Sequence, residues 1–395
     1  MHEFTRYSAR VGVGALGLIT AAGIGVTPAS AHSQCANAGE WTVPGAGRIA
    51  AAEILRRSAK AQVVLLGEHH DDVDHHRWEL QTTAALAALR KNLVIGFEMF
   101  PRRVQGALDR WVANELSEEE FLKASDWSRV WGYDPALYLP LFHFARINRI
   151  PMLALNVERE LVRSVRSGGL ASVPAEKREG VSRPAPAGES YLERLFQSYA
   201  QHPENAHAAP ARTDTGFQRF VEAQLLWDRA MAQAMVEAGT RHPDALIVGI
   251  MGSSHVENGE GVQHQIESLG IAQVATLLPW DADADCARLT AGLATAVFGL
   301  PAAKAATQPP AQLLGIRIAT APDGVQVMDV AAGSIAEAAG LRAGDVLVEV
   351  AGTTVKEPSQ VRAIVLRVMP GTWLPLKAKR RSDTVELTAR FAARK

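Results

Sequence analysis

Cysteine is scarce in this 395-residue chain: Cys35 and Cys286 are the only two, so at most one disulfide can form. Net charge is scarce as well. The formal charge of -1 lacks the basic excess of a nucleic-acid binder, and no polybasic stretch offers a membrane-surface anchor. Long apolar runs are confined to the N-terminus, and no later segment is apolar enough to cross a bilayer. The remaining composition, 47% hydrophobic and 21% charged, is that of ordinary globular protein, and the length allows two or three domains.

The N-terminus has the pattern of a targeting segment. Arg6 and Arg10 form a basic start, Val11 to Val26 is apolar and rich in Gly and Ala, and Ala29-Ser30-Ala31 supplies a small-x-small cleavage site. The run is short and weakly apolar for a membrane span. Residues 1–31 are therefore expected to be a signal peptide, with a periplasmic or otherwise exported product. Cys35 follows His32-Ser33-Gln34 rather than small apolar residues, so lipidation at Cys35 is not expected. In an exported protein the two cysteines can form a disulfide tying the mature N-terminus to the end of the first domain; the alternative is two unpaired thiols.

From residue 62 to residue 278 strand and helix patterns alternate. Strands are predicted at 62–67, 93–97, 151–155, 244–251 and 272–278, with helices at 72–90, 101–111, 135–147 and 216–239. Such alternation predicts βαβ units and a mostly parallel sheet flanked by helices, an α/β domain over residues 41–285. Around Pro301 to Pro310 the composition shifts to Pro, Ala and Gln, which marks a linker, placed at 286–311. Short strands around one helix then predict a small, mostly β domain over 312–395.

Two apolar runs end alike. Val63-Val64-Leu65-Leu66 runs into Gly67-Glu68-His69-His70, and Leu246-Ile247-Val248-Gly249-Ile250-Met251 into Gly252-Ser253-Ser254-His255. If both are strands of one parallel sheet, His70 and His255 emerge on the same edge, where open α/β folds build ligand sites. Glu98 ends a third strand, and Asn156 with Glu158 a fourth. A buried carboxylate is costly unless paired or coordinated. Glu68, His70, Glu98 and His255 are thus candidates for catalysis, or for holding a divalent metal such as zinc or manganese. They can also do acid/base work. The plainer alternative is that they cap the helices that follow. His69, His75 and His76 fall on a loop and a helix start, where solvated positions are expected.

Two of the five tyrosines, Tyr133 and Tyr138, sit in Trp131-Gly132-Tyr133-Asp134-Pro135-Ala136-Leu137-Tyr138. A phenolate can ligate ferric haem, and Trp and Leu suit a porphyrin face. Pro135 should start a helix and set Tyr138 one turn in, which favours Tyr138 as the ligand. The alternative is an aromatic core cluster at a helix N-terminus.

Residues 60–280 resemble the ChaN-like haem-binding lipoprotein family, within the wider Tiki/TraB/erythromycin-esterase group. The resemblance rests on Leu66-Gly67-Glu68-His69-His70-Asp71-Asp72, Gly96-Phe97-Glu98-Met99-Phe100, the Tyr133 to Phe142 segment and Gly252-Ser253-Ser254-His255. It implies an exported α/β domain that binds haem, with Tyr133, Tyr138, His70 and His255 as cofactor-binding candidates, or else a relative of metal-dependent hydrolases. The family's lipoprotein cysteine is missing. The C-terminal domain resembles a PDZ module of the kind attached to exported proteases, on Gly333 to Leu347 and Val350-Ala351-Gly352. That resemblance implies peptide or protein C-terminus binding, with Leu314-Gly315-Ile316 in the carboxylate-receiving loop.

Three functions follow as expectations. The first is a haem-binding protein of the cell envelope working in haem or iron acquisition, with the PDZ module for partner binding. The second is a metal-dependent hydrolase using Glu68, His70, Glu98 and His255. The third is a scaffold whose first domain has lost its chemistry, against which the retained His and Glu set speaks.

Overall fold

A computed structural model describes residues 35–202, 210–302, 313–366, 368 and 371–392. These fall into two compact units divided after residue 302. The expected signal peptide and residues 303–312 lie outside the described residues.

The first unit begins with a hairpin, β1 (Trp41–Val43) and β2 (Gly47–Ile49), and then α1 (Ala51–Ser58). There follow β3 (Val63–Glu68), α2 (Val73–Leu89), β4 (Leu93–Pro101), α3 (Gln105–Val112), α4 (Glu118–Ala124), α5 (Trp127–Val130) and α6 (Pro135–Ile147). Next come β5 (Met152–Asn156), α7 (Arg159–Gly168), α8 (Glu189–Gln201) and α9 (Thr215–Arg241). The unit closes with β6 (Leu246–Gly252), α10 (Val262–Ser268), β7 (Val274–Asp281) and β8 (Ala296–Leu300). The eight strands form one sheet in the order β2-β1-β8-β7-β3-β6-β4-β5. The six strands from β8 to β5 run parallel, while β1 and β2 add an antiparallel edge. The sheet is mostly parallel and flanked by helices, as the alternation predicts.

β3 shows why both faces are covered. Val64 and Leu66 pack in one apolar cluster with Trp78 and Leu86 of α2, whereas Val63 and Leu65 pack in another with Met231 and Met235 of α9. Side chains alternate faces along a strand, so four consecutive apolar residues require a layer on each side. Local signals set the helix starts. Asp72 caps α2 by accepting from the Asp74 and His75 N–H groups at 2.8 and 3.2 Å. Asp134 caps α6 through the Ala136 N–H at 2.9 Å, with Pro135 in the first turn.

Three expectations are corrected or resolved. Pro101 ends β4 instead of opening a helix; a 3-10 turn over Arg102–Val104 precedes α3. Residues 286–302 are not linker, because β8 pairs with β7 on one side and β1 on the other. Its five residues, Ala-Val-Phe-Gly-Leu, are too few and too small to stand out beside the Ala-rich stretch that follows. Cys35 and Cys286 are disulfide-bonded, with Cα atoms 5.5 Å apart.

The second unit comprises β9 (Ile316–Ala321), β10 (Gly324–Val330), α11 (Ile335–Ala338), β11 (Val346–Val350), β12 (Thr353–Thr354), α12 (Pro358–Leu366), β13 (Trp373–Arg380) and β14 (Asp383–Arg390). Its antiparallel sheet has the order β14-β13-β11-β10-β9, with β12 on β11. Val325, Val327, Leu347, Val350, Val361 and Leu376 form its core. β9 pairs only with β10 among the described residues, so its outer side is an open edge. No helix among the described residues is long and apolar enough to cross a membrane.

Candidate functional site

Strand register brings the two Gly-x-x-His segments together. β3 and β6 are parallel neighbours with Glu68 opposite Gly252, and β4 lies on the far side of β6 with Phe97 opposite Ile250. Glu68, Glu98 and the turn after Gly252 therefore share the carboxyl edge of three adjacent strands, the position that α/β sheets use for ligands.

Two hydrogen-bonded groups meet there. In the first, Glu68 Oε1 lies 2.5 Å from His70 Nδ1 and accepts from the Tyr138 hydroxyl at 3.5 Å; that hydroxyl also reaches the His70 carbonyl at 3.2 Å. In the second, Glu98 Oε2 accepts from the Gly252 N–H at 2.8 Å, and Glu98 Oε1 lies 3.5 Å from His255 Nε2. His255 Nδ1 is 2.6 Å from Asp228 Oδ1, and Asp228 Oδ2 accepts from the Tyr191 hydroxyl at 2.6 Å. Gly252 joins the groups. A Cβ there would stand 3.0 Å from His70 Cε1 and 3.7 Å from Glu98 Oε2, so a side chain at this strand end would crowd the ring and require it to shift by a few tenths of an ångström.

The charges explain the titration of both histidines. Burial disfavours the imidazolium of His70, but the Glu68 hydrogen bond and the charges of Glu68 and Glu98 outweigh it and raise its pKa. Burial likewise opposes charge on His255, yet Glu98 and Asp228 push its pKa up to about 9. Burial and the Glu68 carboxylate drive the Tyr138 phenol far above its ordinary range.

The two tyrosines are placed differently. Tyr138 is 1% exposed and faces carboxylates, a poor setting for a phenolate. Tyr133 is 38% exposed, its ring centroid 5.4 Å from His70 and 5.5 Å from Trp131, while Trp131 lies 4.6 Å from His70. The accessible phenol is thus Tyr133, and Tyr138 is the buried one.

The neighbouring histidines also depart from expectation. His75 and His76 are buried; only His69 is exposed. His76 bridges Glu79 at 2.9 Å and the His70 carbonyl at 3.2 Å, and burial pushes the Glu79 carboxyl up to about 7. Among the described residues, His69, His75 and Asp281 are the group whose ligand atoms lie within 4.8 Å of one another. The His69 N–H donates to His75 Nδ1 at 2.9 Å, which leaves the proton on Nε2, 3.3 Å from Asp281. That tautomer makes a His–Asp pair and withholds the Nε2 lone pair from a metal. Asn156 donates to the Glu98 carbonyl at 2.9 Å, whereas Glu158 turns away to Arg103 at 2.5 Å.

Asp228 and Tyr191 were not read from the sequence. The available signal was a carboxylate within the apolar pattern of α9, between Leu225 and Met231, where burial without a partner would be costly. Beside the cluster, at the ends of β4 and β5 and the start of α7, lies a cavity of about 770 Å³. Trp131 and Trp227 stand in its wall, the latter 5.0 Å from the His255 ring.

In the second unit, Leu314 is buried in the core and Ile316 opens the edge strand β9. Gly315 has φ +78°, and a Cβ there would lie 2.4 Å from Ser334 Cβ. The Leu314 and Gly315 carbonyls accept from the Ala336 and Ala331 N–H groups, each at 2.9 Å, which fixes the loop.

The family model for haem-binding uptake proteins of the Tiki superfamily, ChaN, matches residues 54–266, and a PDZ model matches residues 326–380. Among solved structures, the chain is similar to one described as cofacial haem binding to ChaN of Campylobacter jejuni, at 20% identity and TM-score 0.48, over 63% of this chain and 91% of that one. The HtrA3 PDZ domain bound to a phage-derived ligand is 27% identical over 20% of this chain and 82% of its own, with TM-score 0.18. The serine endoprotease from Yersinia pestis is 22% identical over 21% of this chain and 29% of its own, with TM-score 0.19. No curated protein matches the chain.

Proposed function

The chain belongs to the ChaN family of haem-binding uptake proteins in the Tiki superfamily and carries a PDZ domain, and on that premise we propose that it is an exported haem-binding protein of the cell envelope, working in haem and iron acquisition. The observation that carries the site is Tyr133. It is an accessible phenol beside a half-buried imidazole, His70, and an indole, Trp131, at the carboxyl edge of the sheet. This donor set fits ferric haem: a phenolate is a hard anionic ligand for iron(III), and aromatic faces suit a porphyrin. Tyr133 would hold the iron and His70 would stand beside the ligand. Glu68 and Glu98 hold the histidines in place. The haem is cargo, and the residues named bind and shield it.

Export is supported by the N-terminal targeting pattern and by the Cys35–Cys286 disulfide, which suits an oxidising compartment. The PDZ domain would recruit a partner by adding that partner's C-terminal strand to β9. Titrating the purified mature protein with haemin, alongside metal analysis, tests the reading. A saturable Soret shift with little zinc or manganese is expected. Stoichiometric metal without a shift would overturn it in favour of the hydrolase alternative.

A further inference from the structure

The cavity beside the cluster has an uneven wall. Met99, Trp131, Val162 and Trp227 give it apolar surface, and four arginines, Arg103, Arg129, Arg159 and Arg163, line it as well. Three of these cations are already answered. Arg103 pairs with Glu158 at 2.5 Å and Asp126 at 2.9 Å, Arg129 with Asp126 at 2.7 Å, and Arg163 with Glu160 at 2.5 Å. Arg159 has no carboxylate partner among the described residues. Four guanidiniums thus face three carboxylates, and the uncompensated one stands at the start of α7, one helical turn before Arg163.

We propose that this cavity receives the carboxylate-bearing edge of the cargo, with Arg159 and Arg163 taking the propionates and Trp131 and Trp227 flanking the macrocycle. The inference rests on the haem reading and adds to it which chemical face of the ligand enters and which residues select it. Position supports it. Trp131 belongs both to the cavity wall and to the His70–Tyr133 group, so one ligand spanning the two would touch both. Chemistry supports it too. A guanidinium presents a planar fork of donors that matches a carboxylate, and its weak hydration suits a site with apolar walls. At about 770 Å³ the cavity lies within the range of small-molecule and cofactor sites. A neutral apolar ligand would leave Arg159 unanswered; a dianionic one answers it and competes with Glu160 for Arg163.

The test compares haemin with haemin dimethyl ester on the full chain, reading dissociation constants from the Soret band and from tryptophan quenching. Wild type should bind the diacid more tightly, by roughly tenfold for one or two charge-assisted hydrogen bonds. In the double variant Arg159→Ala/Arg163→Ala that preference should shrink to near unity, with the Soret maximum unmoved because the iron ligand is retained. Both arginines are exposed, so their removal leaves the apolar core intact; far-UV circular dichroism checks the fold. Equal binding of the two porphyrins by wild type, or a preference that survives in the variant, overturns the proposal while the haem reading stands. If neither porphyrin binds, both fall.

Discussion

His255 bridges two buried carboxylates: its Nδ1 lies 2.6 Å from Asp228 Oδ1 and its Nε2 lies 3.5 Å from Glu98 Oε1. An imidazolium can donate to both anions at once, whereas a neutral ring there donates to only one of them.

That relationship sets a pH dependence. The folded-state pKa of His255 is raised from 6.5 to about 9, so its contribution to stability is fully present below pH 6.5 and is lost as pH rises through about 9. The full effect would be about 3 kcal/mol, from 1.36 kcal/mol per pKa unit. Asp228→Asn keeps the shape and removes one charge. Urea unfolding of the variant with the disulfide intact should show lower stability at pH 6 and a shallower loss between pH 6.5 and 10. Parallel wild-type and variant curves would deny the coupling.

The tyrosines separate on haem spectra. Tyr133→Phe removes the accessible phenol, so the bands of tyrosinate ligation should vanish and affinity fall while the fold is kept. Tyr138→Phe deletes a buried hydroxyl bonded to Glu68 and the His70 carbonyl, which should cost about 0.5–1.5 kcal/mol of stability and leave those bands in place. Loss of the bands in Tyr138→Phe alone would return the ligand role to the buried residue.

What could be read from the sequence was whatever a strand or helix period reports directly. The runs 63–66 and 246–251 marked β3 and β6, and their matching Gly-x-x-His endings pointed to one sheet edge, where the structure has Glu68 opposite Gly252. Periodicity says nothing of partners brought from far along the chain. Asp228 reaches His255 only because α9 packs against the sheet, and the arginines line a cavity made by the ends of separate strands. His75 and His76 misled for a similar reason. Polar residues at a helix start read as solvated, but here Asp281 and Glu79 supply the partners that allow burial. β8 escaped because it is short and pairs with strands from both ends of the unit.

The disulfide should matter to the first unit. It links residues 251 apart, a long loop whose closure restricts the unfolded chain. Cys286→Ser should lower stability by about 2–5 kcal/mol, the range for native disulfides in secreted domains. Thermal unfolding with and without reductant checks this: wild type should fall to the variant's midpoint on reduction, and the variant should not respond. A midpoint indifferent to reductant would mean the bond contributes nothing.

The PDZ groove tests whether the open edge of β9 receives a chain terminus. A peptide ending in an apolar residue should add as a strand beside Ile316–Ala321, with its carboxylate at the loop that Gly315 shapes. Amidation of that carboxylate removes a charged acceptor from backbone donors and should weaken binding roughly tenfold or more. Gly315→Ala attacks the same loop from the protein side. Its positive φ disfavours an L side chain, and the new Cβ would collide with Ser334 Cβ at 2.4 Å, so the loop must move. Calorimetric titration should then show the acid form reduced to the affinity of the amide. If acid and amide bind wild type alike, the terminus is not captured there, and β9 would take internal strands instead.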